Sequence, residues 1–122
     1  MDIGGDDMDT KTILPADTYT IVNRTILTEY ERKTIISLYS PIIGSNATAL
    51  YFALWQDLER TNQDGETFNH HHLMSTLKLG LEPLTNARKA LEGMGLLRTY
   101  YKKGDLDSYY YELFSPLEPY EF

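Results

Sequence analysis

The clearest pattern in the sequence is the spacing of apolar residues between positions 45 and 60. They recur at i, i+3, i+4, i+7, i+8 and i+11, which is the spacing of one broad helical face. These residues are Ala47, Leu50, Tyr51, Leu54, Trp55 and Leu58. Ala49, Phe52 and Ala53 lie on the opposite side of the same helix. Because both apolar faces must be covered, the helix is either central to the domain or contacts another chain.

The residues before this helix predict a strand and a first helix. Residues 18–23 combine threonines with Tyr, Ile and Val, a composition typical of a short strand. Thr28 and Glu31 have the spacing of a capping box, so a helix is expected to begin there. It should end before Pro41, close to Gly44, because proline interrupts a helix.

The carboxy-terminal half predicts two more helices and a hairpin. A polar loop over residues 61–67 is followed by a short helix over about 69–77. Pro83 fits the first turn of the next helix, which ends at Gly93. Residues 96–102 and 108–114 then have the composition of two strands joined by a Lys-Gly-Asp turn.

The order of these elements is that of a winged helix. Its strongest local sign is a helix with Leu84, Ala87 and Leu91 inward, followed by a glycine stop and an apolar strand. We therefore predict a mostly α (α+β) fold, a winged helix-turn-helix with a carboxy-terminal β-hairpin wing and a short amino-terminal strand. This domain should occupy residues 13–115, after a disordered acidic leader (1–12) and before a linker (116–122) to missing carboxy-terminal domains.

Composition and charge exclude several classes of function. The 122 residues contain no cysteine, which excludes disulfides, a thiolate zinc site and a cysteine nucleophile. A formal net charge of −7 argues against non-specific binding of nucleic acid or an anionic membrane, although residues 78–103 are locally basic. No apolar run is long enough to span a bilayer and no signal peptide is visible, so we expect a cytoplasmic domain.

The sequence gives little evidence for catalytic or metal-binding groups. No phosphate-binding glycine loop and no Gly-x-Ser-x-Gly elbow is present, so we expect no enzyme activity, no cofactor and no small-molecule substrate. His70, His71 and His72 are consecutive, and at most two of them could converge on one metal ion. We interpret them as the polar start of a helix and predict no metal site.

A nucleic-acid surface is the second possibility that the sequence leaves open. On the predicted recognition helix, Asn86 and Lys89 point outward and Arg88 lies on the flank. An asparagine reads adenine and the cations hold phosphate, so these residues favour a duplex-DNA-binding winged-helix transcription regulator as the alternative function. The wing adds the cations Arg98, Lys102 and Lys103. A single outward lysine, however, supplies little positive charge for contacts with the phosphates of a duplex.

Half of the ten tyrosines lie in the predicted hairpin. Alternation places Tyr109 and Tyr111 on one face and Tyr110 on the other. The tyrosines either pack across the strands, stack on the bases of a single-stranded nucleic acid beside Lys102 and Lys103, or form a protein interface. With a negative net charge, a protein interface is favoured over nucleic acid. The predicted interface residues are Ala49, Phe52, Ala53, Tyr109 and Tyr111.

Four segments resemble a known family. They are residues 14–19 (LPADTY), 38–44 (LYSPIIG), 71–74 (HHLM) and 91–100 (LEGMGLLRTY). They are similar to the amino-terminal domain of the replication initiation and membrane attachment proteins called DnaB. These are the DnaB/DnaD-type primosomal helicase-loading proteins of low-G+C Gram-positive bacteria, distinct from the replicative helicase that shares the name.

The resemblance implies a function that the residues alone do not give. It implies a winged-helix domain for homo-oligomerisation and for contacts with other primosomal proteins and the helicase loader during replication initiation. It implies DNA binding through the full-length protein and membrane association of that protein only. No catalytic residue carries over from the family pattern.

Overall fold

A computed structural model describes residues 17–22, 27–61, 67–102 and 108–116; side chains are described for 17–22, 27–59, 68–102 and 108–116. The predicted leader (1–12) and most of the predicted linker (116–122) lie outside these ranges. In chain order the elements are β1 (Thr18–Val22), α1 (Glu29–Thr34), a π-helical segment (Ile35–Tyr39), α2 (Ser40–Thr61), β2 (Thr67–Asn69), α3 (His70–Leu77), α4 (Leu81–Gly93), β3 (Leu97–Lys102) and β4 (Ser108–Leu113).

The first helix begins where the sequence predicts. The Thr28 hydroxyl accepts from the Glu31 amide and the Glu31 carboxylate accepts from the Thr28 amide, which completes the capping box. Pro41 does not end this helix, contrary to the prediction. The turn before it is π-helical, with the Ser40 amide bonded to the Ile35 carbonyl, and this wider turn accommodates a proline that lacks an amide hydrogen.

The actual break lies at Gly44, inside the span of α2. Its φ of 89° and ψ of 170° belong to a region that is accessible almost only to glycine. The chain reverses direction at this break. The ion pair between the Arg32 guanidinium and the Glu59 carboxylate, 3.2 Å apart, shows the reversal, since the two residues lie on opposite sides of Gly44 in the sequence. Residues 29–43 (the first arm) and residues 45–61 (the second arm) are therefore two helices packed side by side.

A four-stranded sheet in the order β2-β1-β4-β3 covers one side of the helices. β3 and β4 form the predicted antiparallel wing, with Leu97 opposite Leu113 and Lys102 opposite Ser108. β1 lies parallel to β4 and antiparallel to β2, a strand that spans the end of the predicted polar loop and the predicted start of the next helix. The predicted turn at residues 103–105 lies outside the described residues.

The core lies between the inner face of this sheet, the second arm, α3 and α4. The predicted broad face of the second arm lies in this core: Leu58 is half-buried, and the other five residues, Ala47, Leu50, Tyr51, Leu54 and Trp55, are buried. α4 contributes the predicted Leu84, Ala87 and Leu91. With the wing and the helix order as predicted, the fold is a winged helix of the α+β class.

Candidate functional site

The tyrosines of the wing lie on two faces, an inner one towards the helices and an outer one. Tyr101, Tyr109 and Tyr111 point towards the helices and are 4%, 0% and 3% exposed. Their rings form a continuous inner layer, with centroids 5.3 Å apart between Tyr101 and Tyr109. The prediction that Tyr109 and Tyr111 belong to an exposed protein interface is therefore wrong, because the helices of the same chain already cover both.

Tyr100 and Tyr110 are the outer pair. They stand directly opposite each other on β3 and β4 and remain partly exposed. The Tyr100 hydroxyl donates to the Glu112 carboxylate at 3.1 Å and receives a hydrogen bond from Arg98 at 3.3 Å. The outer face of the wing therefore carries a fixed aromatic side chain beside an exposed cation.

A buried polar network joins the inner tyrosines to α3. His70 begins α3, as predicted for the histidine run, and its side chain is 1% exposed. Its Nδ1 lies 2.6 Å from the Asp17 carbonyl oxygen, which can only accept, so Nδ1 carries the proton. Nε2, 2.7 Å from the Tyr111 hydroxyl, then accepts from it. His70 thus links three distant segments of the chain.

A second cluster lies beside it. The buried Asp57 carboxylate accepts from the Tyr19 hydroxyl at 3.1 Å and from His72 Nε2 at 3.0 Å. His72 stacks on Phe68 with centroids 5.3 Å apart. The cavity beside His70 and Tyr111 measures about 10 Å³, the room of a single water molecule. The two clusters fasten the sheet to the helices, because they join Tyr19 of β1 and Tyr111 of β4 to Asp57 of the second arm and His70 of α3.

The first prediction concerns pH. Burial lowers the pKa of His70 below its ordinary value of 6.5, so below that pH the unfolded chain binds more protons than the folded one. We expect the free energy of unfolding to fall as the pH drops from about 7 to about 5, by up to about 1.4 kcal/mol per pH unit. Chemical denaturation at each pH measures it.

Two glutamine substitutions isolate this contribution. H70Q should remove it, whereas H71Q, at the neighbouring exposed histidine, should retain it. If the H70Q variant loses stability with falling pH as steeply as the wild type, His70 is not the group responsible.

The predicted recognition helix is only partly available to a nucleic acid. Asn86 and Lys89 on α4 are exposed, as predicted. Arg88 is 3% exposed and its guanidinium pairs with Glu92 at 2.8 Å, while the Thr99 hydroxyl donates to the same carboxylate. The prediction that Arg88 holds phosphate is therefore wrong, because Arg88 is buried and paired with Glu92, the residue that links α4 to Thr99 of β3.

The three cations predicted on the wing differ in how the structure places them. Arg98 is exposed and lies over the Phe114 ring, with its guanidinium carbon 5.4 Å from the ring centroid. Lys102 is half-buried at the end of β3. Lys103 lies outside the described residues. With Arg88 buried, the described surface of α4 offers Lys89 alone beside Asn86, which weakens the case for duplex recognition.

The far face of the second arm is less open than predicted. Ala49 is exposed, but Phe52 and Ala53 are half-buried and pack against the core. Arg32 of the first arm covers the Phe52 ring, with its guanidinium carbon 5.8 Å from the centroid. The first arm therefore covers part of this face, and of its three predicted residues Ala49 is the exposed one.

The exposed large apolar side chains of the described residues all lie on the first arm. They are Tyr30, Ile36 and Ile42, which are 56%, 55% and 57% exposed. The prediction missed them as candidate interface residues. Ile35 and Tyr39 are buried at i and i+4, so the position of Ile36 off that face was a usable signal.

An open groove lies next to Ile42. It runs between the break at Gly44 and the start of α4 and measures about 410 Å³. Its lining consists of Ile43, Gly44, Ser45, Asn46, Ala47, Pro83, Asn86 and Ala87, none of which is charged. Asn86 therefore borders an uncharged groove rather than a basic surface.

The part of the chain that the structure describes lacks two further features. There, no three histidine or carboxylate side chains converge in a way that would hold a metal ion. No described helix combines the length and the apolar character needed to cross a bilayer.

Comparison with known proteins identifies the family. A family model described as the DnaB N-terminal winged helix domain matches residues 13–122. The chain belongs to this family. The DnaB resemblance of the four sequence segments and the winged-helix prediction are both confirmed.

Two relatives of this DnaB-family domain extend the comparison. The crystal structure of primosome protein DnaB (residues 1–300) from Geobacillus stearothermophilus matches 90% of the chain with a TM-score of 0.84 and 39% identity. The "Replicative helicase loading/DNA remodeling protein DnaB" of Staphylococcus aureus (strain NCTC 8325 / PS 47) is 25% identical over 103 residues, 84% of the chain. The chain spans 42% of the first and 22% of the second.

Proposed function

We propose that this DnaB-family domain is the oligomerisation and protein-interaction part of a primosomal replication-initiation protein that helps to load the replicative helicase. The names of its two relatives, a primosome protein and a helicase-loading protein, support this role. On this proposal the domain is not an enzyme and acts in the cytoplasm. Its partners are a second copy of itself, other primosomal proteins and the helicase loader.

The observation that carries the proposal is the apolar surface of the first arm. Tyr30, Ile36 and Ile42 are each more than half exposed, whereas the other large apolar side chains that the structure describes are buried or half-buried. An exposed apolar patch marks a site of interaction with a protein, a membrane or a ligand, and we assign these three side chains to a protein contact. Ala49, Phe52 and Ala53 remain in the proposal as an extension of this surface across Arg32.

A second copy of the chain is the occupant that the geometry favours. Ile42 protrudes beside the groove that Ile43, Pro83 and Ala87 help to line. A two-fold contact requires one patch to be complementary to itself. A protruding side chain next to a groove meets this requirement, because each copy can place its side chain in the groove of the other. The uncharged lining also avoids the repulsion that two chains of net charge −7 would otherwise meet.

The second prediction tests this surface. We expect the domain to self-associate, and I36E to shift the weight-average mass towards the monomer, because the substitution places a charge in an apolar contact. Light scattering across a concentration series measures it. S75E, at an exposed position of α3, adds the same charge away from the first arm and should leave the mass unchanged.

Thermal unfolding of each variant checks that it remains folded. A folded I36E variant with the mass of the wild type at every concentration would remove the first arm from the interface. A wild type that stays monomeric at all concentrations would overturn self-association itself.

A further inference from the structure

The outer face of the sheet carries a row of residues that the interaction surface does not use. Arg98, Tyr100 and Lys102 alternate along β3, so their side chains lie on the same face over roughly 13 Å. Tyr110 stands beside Tyr100 on β4. We call these four residues the outer strip; it points away from the helices.

The charge of this face is opposite to that of the chain. Arg98 and Lys102 face one described carboxylate, Glu112, whereas the whole sequence carries a net charge of −7. Glu112 accepts a hydrogen bond from the Tyr100 hydroxyl, and the two cations still outnumber this one carboxylate. Two cations that flank an aromatic ring on a locally positive face are complementary to a phosphate backbone that carries bases.

The outer strip is also held in place. The Arg98 guanidinium lies 5.4 Å from the centroid of the Phe114 ring and donates to the Tyr100 hydroxyl. Tyr100 in turn donates to Glu112 at 3.1 Å. Because these contacts fix the ring and the cation before any ligand arrives, less conformational entropy is lost on binding.

We propose that the outer strip binds single-stranded DNA, with Tyr100 and Tyr110 stacking on bases and Arg98 and Lys102 contacting phosphates. A duplex does not fit this chemistry, because its bases are already stacked and cannot lie on the tyrosines. The choice of DNA over RNA rests on the replication role proposed above, since the strip itself recognises only bases and phosphates.

Fluorescence anisotropy of a labelled oligo(dT) of about 16 nucleotides tests the proposal with the 122-residue chain. We expect salt-sensitive binding that Y100A weakens about tenfold, because a stacked base is lost. Y100F keeps the ring but loses both hydrogen bonds of the hydroxyl, so its affinity should lie between those of Y100A and the wild type. K102A should reduce the slope of log K against log salt by about 0.7, whereas K33A, at an exposed lysine of α1, should not change it.

Several results would overturn the proposal. They are no binding of oligo(dT) at low salt, an equal loss of affinity in the K33A and K102A variants, and tighter binding of a duplex or of oligo(U) than of oligo(dT). A fourth is a fall in solution mass in the Y110A variant without any change in oligo(dT) affinity, which would assign the strip to a protein contact. Self-association is tested separately, on the first arm. A lack of oligo(dT) binding would therefore leave the light-scattering result unchanged, and a monomeric domain would leave the oligo(dT) result unchanged.

Discussion

Replacing Tyr109 by alanine is expected to lower the free energy of unfolding by about 4 kcal/mol. The ring is completely buried and contacts Tyr101, His70 and Tyr111, with centroids 5.3, 5.5 and 6.4 Å away. Its removal leaves a cavity that the surrounding rings cannot fill without moving. Urea denaturation followed by circular dichroism measures the loss.

The neighbouring tyrosine is the matched control. Tyr110 lies on the same strand with its ring on the outer face, so Y110A should cost less than about 1 kcal/mol. Equal losses in the Y109A and Y110A variants would contradict the assignment of the two faces of the wing. The same comparison separates the tyrosines that build the fold from those of the outer strip.

Removal of the Glu92 carboxylate is expected to have the second largest effect, about 3 kcal/mol in the E92A variant. Glu92 is the partner of the buried Arg88 guanidinium at 2.8 Å and also accepts from Thr99. Without it a buried positive charge has lost its counter-charge, which is more costly than losing the pair as a whole.

The R88M variant tests that reasoning. Methionine keeps much of the volume of the arginine side chain and removes the charge, so R88M should destabilise the fold less than E92A does. Chemical denaturation of the two variants and of the wild type gives the comparison. A loss below about 1 kcal/mol in the E92A variant would mean that solvent already screens this pair.

Local signals in the sequence predicted most of the helices and strands. The capping box at Thr28 and the glycine stop at Gly93 depend on neighbouring residues, and the structure confirms both. Asn69 caps α3 through the His72 amide, where the sequence predicted the start of that helix. β2 was missed because three residues are too few for a periodic pattern, and its pairing with β1 joins segments far apart in the chain.

Three candidate residues, Arg88, Tyr109 and Tyr111, were misassigned although the sequence held the signal. Arg88 lies four residues after Leu84 and three before Leu91, so helical spacing places it on the buried face. Tyr109 and Tyr111 alternate in phase with Leu113, whereas Tyr110 alternates with Glu112. An apolar partner in phase identifies the inner face of a strand, and that rule would have placed both tyrosines in the core.

The buried network around His70 could not be predicted. Its partners Asp17 and Tyr111 lie 53 and 41 positions away, and no local pattern links a histidine to partners at such distances. Only the sheet order brings them together, because β1 and β4 are neighbours. The exposed side chains of the first arm had a weaker signal, which became clear once the buried face of that helix was known.

The absence of cysteine from the sequence permits a direct test of the central claim, that the first arm is covered by a second copy of the chain. Single I36C, I42C and S75C variants each carry one thiol whose rate of alkylation reports its accessibility. We predict that alkylation of the I36C and I42C variants slows as the protein concentration rises, while that of S75C stays constant. Alkylation rates of the I36C and I42C variants that stay as constant with concentration as that of S75C would contradict the account.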